Sequence, residues 1–271
     1  SFDQYWNSAL SKPIEQFLSG KPTAQDLHNT RTRLEESLAD TRKQNHALYQ
    51  QLMTFKTHPR LDIWRRELIW AWGQALWDAP SKVLADGEPD PHLLLTTQLE
   101  PELNGVSKEL IMTSAYFVPG QPGLVYLTGR ADAGVSVMLL TNSLEATDVP
   151  AVHGGYAPYR KALLEHGVKL FELRRQPGKG AGSGPHFFGR SGSQGSDSSL
   201  HSKAMIFDQQ KSFVGSFNFD PRSVLWNTEV GVLVDSPELA AHVRDLAMQG
   251  MAPTLSYEAR LEDGKVVWVT E

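Results

Sequence analysis

The sequence predicts an α/β protein, a layered sheet flanked by helices and preceded by a helical N-terminal segment. Three observations predict it. From residue 93 onward, short apolar runs alternate with stretches of helical length. Residues 201–218 read as two strands joined by a polar turn. Residues 1–90 carry the three-to-four spacing of helices instead.

In the N-terminal segment, Thr23 or Asp26 caps a helix through Asn29–Gln51, with Leu27, Thr30, Leu34, Leu38 and Thr41 on one face. Pro59 and Pro80 bracket a second helix, Leu61 to Trp77, with an apolar stripe of Trp64, Leu68, Ala71, Trp72, Ala75 and Leu76. The tryptophans Trp64, Trp70, Trp72 and Trp77 suit either a docked helix or a membrane interface. Ala85 to His92 is a polar joint bearing Pro and Gly. It divides a helical connecting segment, residues 1–90, from an alternating half, residues 91–271.

The alternating half begins at Leu93–Gln98, a helix start after Pro91. Glu109–Thr113 reads as a strand, Gly123–Ala133 as a helix and Val135–Leu140 as a strand. Tyr156–His166 follows as a helix and Val168–Leu173 as a strand. After the hairpin come a strand, Glu229–Val234, a helix, Pro237–Gly250, and an edge strand, Lys265–Thr270.

Composition narrows the chemistry. The 271 residues suffice for a substantial core, and 40% hydrophobic with 21% charged residues is ordinary for a globular protein. With no cysteine, disulfides and thiolate metal sites are excluded. No apolar run approaches the roughly 18 residues of a membrane span. The net charge of −5 argues against broad nucleic-acid binding. That charge is uneven: between Gly155 and Lys211, nine basic residues face four acidic ones. Such a region suits an anionic lipid surface or a phosphate-rich ligand, or simply a solvated face. Pro177 to Ser199 is rich in Gly and Ser and reads as a lid or as disorder, with His186-Phe187-Phe188 an apolar tip.

Residues 201–218 carry the most chemical information. They follow H-x-K-x4-D-x6-G-S-x-N: His201, Lys203, Asp208, Gly215, Ser216 and Asn218. Six fixed positions arise by chance on the order of 10⁻⁸ per start position. In a strand, residues two apart face the same way, so His201 and Lys203 project into one pocket. An imidazole attacks phosphorus without prior deprotonation, or moves protons near neutral pH. An ammonium at Lys203 meets the charge on non-bridging oxygens. Ser216 and Asn218, sharing a face, hydrogen-bond phosphate or orient an imidazole. Gly215 marks a place where a side chain would crowd phosphate or a neighbouring strand. Asp208 opens the polar turn, and bracing that turn or pairing with a histidine are its two readings. Glu229 stands at the entrance to the following strand.

This motif resembles the HKD signature of the phospholipase D superfamily. The segment Ser114-Ala115-Tyr116-Phe117-Val118-Pro119-Gly120 resembles one that opens a catalytic half in bacterial cardiolipin synthases. Thr141 to Asp148 and Val152 to Tyr156 resemble the loop and helix start of the same group. The opening Ser1 to Asn7 resembles the segment that follows a first motif. The resemblance implies a phospholipase D-like fold and phosphatidyl transfer through a phosphohistidine, without cofactor or metal. It implies a catalytic set of His201, Lys203, Asp208 and Glu229, with Glu229 contacting a catalytic histidine, and substrate contacts at Ser216, Asn218 and Tyr116. It also implies a phospholipid substrate such as phosphatidylglycerol and a peripheral place on the anionic bacterial cytoplasmic membrane.

Two departures shape the expectation. Family members use two motifs, and no other histidine here has lysine two places on. The first methionine is Met53. These features point to a fragment whose missing N-terminal half supplies the other motif. The alternative is a second copy of the chain across a two-fold axis, acting as a phosphodiesterase or nuclease.

Overall fold

In the computed structural model, the described residues are 2–46, 49–50, 68–175 and 199–270. They divide into two compact units, one of Ser1–Tyr5 with Ala71–Glu271 and one of Trp6–Trp70. The chain opens on a short helix, α1 (Phe2–Trp6). The smaller unit is built on α2 (Ala24–Gln44). Thr23 caps it with a reciprocal pair: its hydroxyl accepts from the Asp26 N–H at 3.2 Å, and the Asp26 carboxylate accepts from the Thr23 N–H at 2.8 Å. Two otherwise unpartnered donors are satisfied, so the helix starts there. Leu27, Leu34 and Leu38 on its apolar face are exposed.

The larger unit is a layered α/β body. A sheet of nine strands among the described residues runs in the order β1-β7-β6-β5-β2-β3-β4-β8-β9. In chain order its elements are β1 (Trp72–Trp77), α3 (Leu95–Gly105), β2 (Glu109–Ser114), α4 (Gly120–Asp132) and β3 (Ser136–Asn142). Then come α5 (Pro150–Tyr156), α6 (Arg160–Glu165), β4 (Lys169–Leu173), β5 (Lys203–Phe207) and β6 (Lys211–Gly215). The remainder are α7 (Pro221–Leu225), β7 (Val230–Asp235), α8 (Pro237–Gly250), β8 (Ser256–Glu262) and β9 (Lys265–Val269). β2, β3 and β4 pair in parallel, and every other pairing is antiparallel.

Both sheet faces are covered where the motif lies. Met112, Met205, Phe207 and Phe213 belong to one core cluster, while Ile111, Ala204 and Ile206 pack with Ala240, Val243 and Ala247 of α8 in another. That two-sided burial is why β2 and β5 read as continuous apolar runs.

The expected helix over Leu61–Trp77 is corrected at its C-terminal end. Residues 72–77 form an edge strand, paired with β7 from Trp72↔Asp235 to Trp77↔Val230. Of the proposed stripe, Leu76 enters the core, whereas Trp72 is 89% exposed. Backbone pairing with β7 and burial of one leucine outweigh the helical spacing of the tryptophans. Leu61 to Glu67, including Trp64, lie outside the described residues. The joint expected at 85–92 falls inside the larger unit, between short 3₁₀ turns at Pro80–Leu84 and Pro91–Leu93. β8 is a strand the sequence reading left out.

Candidate active site

The motif forms the β5–β6 hairpin and the loops on either side of it: His201 lies just before β5 rather than in it, and Ser216 and Asn218 lie just after β6, so neither expected same-face strand pair is formed. The hairpin turns through Asp208 and Gln209, both left-handed with φ of 52° and 58°. Gly215 ends β6 against β7: a Cβ there would lie 2.7 Å from the Gly231 Cα and press on the Val230 carbonyl. Of the two crowding readings for Gly215, the neighbouring strand is the one observed.

The hairpin puts the motif's residues at opposite ends. At the C-terminal end of β5, Asp208 turns back onto the start of β2. Its carboxylate accepts from the backbone N–H groups of Ser107, Lys108 and Glu109 at 2.7–3.2 Å, and from the Ser107 hydroxyl at 3.0 Å. These donors hold its carboxyl below the ordinary range, although burial alone would raise it. Asp208 is therefore a brace. It stands five positions along the chain from Lys203, about 17 Å, so it does not stand beside the imidazole.

At the other end, His201 is exposed and Lys203 is 8% exposed. The Lys203 ammonium donates to the His201 carbonyl at 2.7 Å and lies 5.9 Å from the Tyr116 ring centroid. Burial pushes Lys203 below the ordinary lysine value, while the fields of Glu229, Asp148 and Asp220 oppose that shift. The approach to His201 is fixed by Asn142 at the end of β3. Its amide donates to the carbonyls of Ala115 and Leu200 at 3.1 and 3.0 Å, and its oxygen accepts from the Leu200 N–H at 2.8 Å.

Glu229 is 5% exposed, and its carboxylate accepts a short hydrogen bond from the Ser216 hydroxyl. The Ser216 oxygen in turn accepts from the Val230 N–H at 3.0 Å. Among the described residues Glu229 makes no hydrogen bond to His201; its field falls on Lys203. Asn218 is buried, and its side-chain oxygen accepts from the Tyr116 N–H at 3.2 Å. The Tyr116 hydroxyl donates to both carboxylate oxygens of Asp148 at 2.9 Å. Burial first, then Asp148, pushes the Tyr116 phenol up to about 12.

His201, Lys203, Tyr116, Ser216, Asn218 and Glu229 are thus gathered at one end of the sheet, and Asp208 is not. Sequence reasoning passed over Asp148 and Asp220 as site residues. Asp148 sits in the quoted Thr141–Asp148 loop, but its reach to Tyr116 depends on folding across 32 positions. Asp220 caps α7 by accepting from the N–H groups of Arg222 and Ser223, and it faces the same lysine. No group of three or more His, Asp or Glu among the described residues could hold a metal ion. The Gly/Ser-rich stretch before His201, with His186-Phe187-Phe188, lies outside the described residues.

A buried ammonium bonded to the backbone of an exposed histidine, at the end of β5 beside the C-terminal ends of the parallel strands β2 and β3, is a place to hold an oxyanion near a nucleophile or proton carrier. Residues 99–249 match the family of cardiolipin synthase, PLD-like domains. Cardiolipin synthase C of Escherichia coli K12 is 39% identical over 74% of this chain and 41% of its own length. An uncharacterised protein of Helicobacter pylori J99 is 27% identical over 99% of this chain and 50% of its own length. Phosphatidylserine synthase from Haemophilus influenzae Rd KW20 shares the fold: TM-score 0.50, 16% identity, 72% of this chain and 40% of that one. The chain spans about half the length of the curated relatives it matches. It belongs to the phospholipase D superfamily, in the branch of cardiolipin synthase, PLD-like domains.

Proposed function

We propose that this chain supplies one half of a phosphatidyl-transfer site acting on phospholipid phosphodiesters through a phosphohistidine. The observation that carries the reading is the buried ammonium of Lys203 bonded to the backbone carbonyl of exposed His201. The lysine binds the phosphodiester's non-bridging oxygens, as no carboxylate in the site can. One imidazole of a pair attacks phosphorus. The bond to the departing alcohol breaks, and that alcohol takes a proton from the second imidazole. The second imidazole then takes the proton of an incoming hydroxyl, whose oxygen displaces the first imidazole and restores it. His201 is one of the two, as nucleophile or as acid/base.

One motif holds one imidazole, so the second comes from an upstream half or a second copy. Glu229 fits this arrangement, because its carboxylate is fixed by Ser216 rather than by His201 and is available to an incoming ring. A carboxylate on one ring nitrogen sets the tautomer and raises the basicity of the other. Nucleic acid fits less well than phospholipid. Asp148, Asp220 and Glu229 all act on Lys203, and that acidic surrounding opposes a polyanion laid along the site. Among the described residues no helix is long and apolar enough to cross a membrane, and we place the chain peripherally on an anionic bilayer.

The test is transfer from phosphatidylglycerol vesicles by the chain alone, by the chain with an added upstream half, and by His201→Ala in both. Activity that needs the upstream half and His201 supports the reading. A His201→Ala variant as active as the parent overturns it.

A further inference from the structure

Directly after β1, the residues Trp77-Asp78-Ala79-Pro80-Ser81-Lys82 place a carboxylate and an ammonium four positions apart. Both are buried, Asp78 at 1% and Lys82 at 2% exposure, with Nζ and Oδ2 2.8 Å apart. A buried ion pair rarely stabilises a fold on its own account, because desolvation offsets the attraction. Its other bonds are therefore informative. Oδ2 of Asp78 also accepts from the Glu229 N–H at 2.7 Å, and the Asp78 N–H donates to the Glu229 carbonyl at 2.9 Å. Oδ1 accepts from the Leu95 N–H at 2.6 Å at the start of α3. Lys82 completes the tie by donating to the Ser223 carbonyl in α7 at 2.8 Å. Both backbone polar groups of Glu229 thus end on one buried residue. That residue's charge is balanced by a lysine anchored in the helix capped by Asp220.

We propose that Asp78 and Lys82 form a positioning strut that holds Glu229, and with it the carboxylate field on Lys203. The inference rests on the proposed role of Glu229 in the site, but not on any turnover. Among the described residues neither side chain bonds to Lys203, Tyr116, Ser216 or Asn218. They act through the Glu229 backbone, which they grip from the side opposite Ser216.

The test is the titration of Lys203, followed by the ¹³Cε shift of labelled lysine in the full chain. The groups whose fields reach Lys203 are Glu229, Asp148 and Asp220, and Glu229 holds its proton affinity up. Asp78→Asn and Lys82→Met change the local charge in opposite senses. If the pair acts only as charge, the first lowers the Lys203 pKa and the second raises it. If the pair is a strut, both lower it by about half a unit, roughly a threefold change in proton affinity. In a Glu229→Gln background neither then shifts it further. Opposite shifts, or no shift, overturn the proposal.

Should a single variant fail to fold, the double Asp78→Asn/Lys82→Met removes both charges together. A lowered Lys203 pKa there supports the strut, and an unchanged one overturns it. Phosphatidyl transfer by the same variants separates the two readings. A common downward shift in a chain inert toward phospholipid even with an upstream half leaves the strut standing and removes the enzymatic reading. A transfer-competent chain without that shift does the reverse.

Discussion

The two ends of β5 are built from one motif and differ in kind. At the Asp208 end a carboxylate is saturated by backbone donors from three consecutive residues that lead into β2. At the Lys203 end an ammonium is buried with one carbonyl partner, and burial pushes it toward losing its proton. The first end gains stability from its charge. The second is held out of its preferred state, as a site awaiting an anionic ligand is. On the proposed function, lysine and aspartate of one sequence motif therefore serve chemistry and architecture respectively. The difference can be measured, because variants at the two ends should move different observables.

The largest effect is expected at the open end. His201→Ala should lower phosphatidyl transfer by about 10³-fold or more. His201 is exposed, so melting should hold within about 0.5 kcal/mol. Initial rates beside a denaturant curve check both halves. A loss of rate accompanied by an equal loss of folded protein would remove the contrast between the ends.

Asp208→Ala should do the opposite, costing about 3 kcal/mol of stability with little change in rate per folded molecule. The cost has two parts, the donors left unpartnered and a φ of 52° that alanine tolerates poorly. Asp208→Asn keeps one acceptor and tolerates the left-handed backbone, so its cost should be nearer 1 kcal/mol. The pH dependence carries a sign. The folded carboxyl titrates below its ordinary value of 3.8. Its stabilisation is therefore complete above that value and lost as pH falls through the lower folded pKa. Urea unfolding of parent and Asp208→Asn should converge in acid and separate toward neutrality.

Lys203 should show a slope of the same sign in an alkaline window, with a smaller amplitude. Its folded pKa lies below the ordinary 10.5, so at neutral pH the fold carries a charge it would shed. Lys203→Met should unfold later than the parent at neutral pH. The gap should close as pH rises from the folded pKa toward 10.5. A variant less stable than the parent at pH 7 would mean that the carboxylates outweigh burial there.

How much of this was legible in the sequence follows from where each interaction is made. The hairpin was legible because its alternation and its turn are local, and Pro237–Gly250 is a helix as read. The resemblance brought Tyr116, Ser216, Asn218 and Glu229 into the candidate set, and the fold gathers them around Lys203. The sequence reading missed β1 because Trp64, Leu68, Trp72 and Leu76 mimic a helical stripe. The deciding partner, β7, lies more than 150 positions away. β8 was missed because Ser256–Glu262 is polar and mostly unburied, giving periodicity little to act on. Asp148, Asp78 and Lys82 were invisible for the same reason as β1. Each matters through a contact that only the closed sheet creates.

The smallest effect sharpens the comparison most. Like Asp208, the Asp148 carboxylate accepts hydrogen bonds, but its donor is the hydroxyl of Tyr116 rather than a row of backbone amides. A side-chain donor can turn away toward a ligand, and a backbone amide in a strand cannot. Tyr116→Phe should leave the ring beside Lys203 and lower transfer by less than about tenfold. Asp148→Asn should lower the Tyr116 phenol from about 12 without returning it to 10, since burial, the largest single cause of the shift, remains. Ultraviolet titration of the phenol checks this. A phenol that stays near 12 in Asp148→Asn would mean the pair is not formed in solution, and Asp148 would then be free to meet a ligand without first giving up a partner.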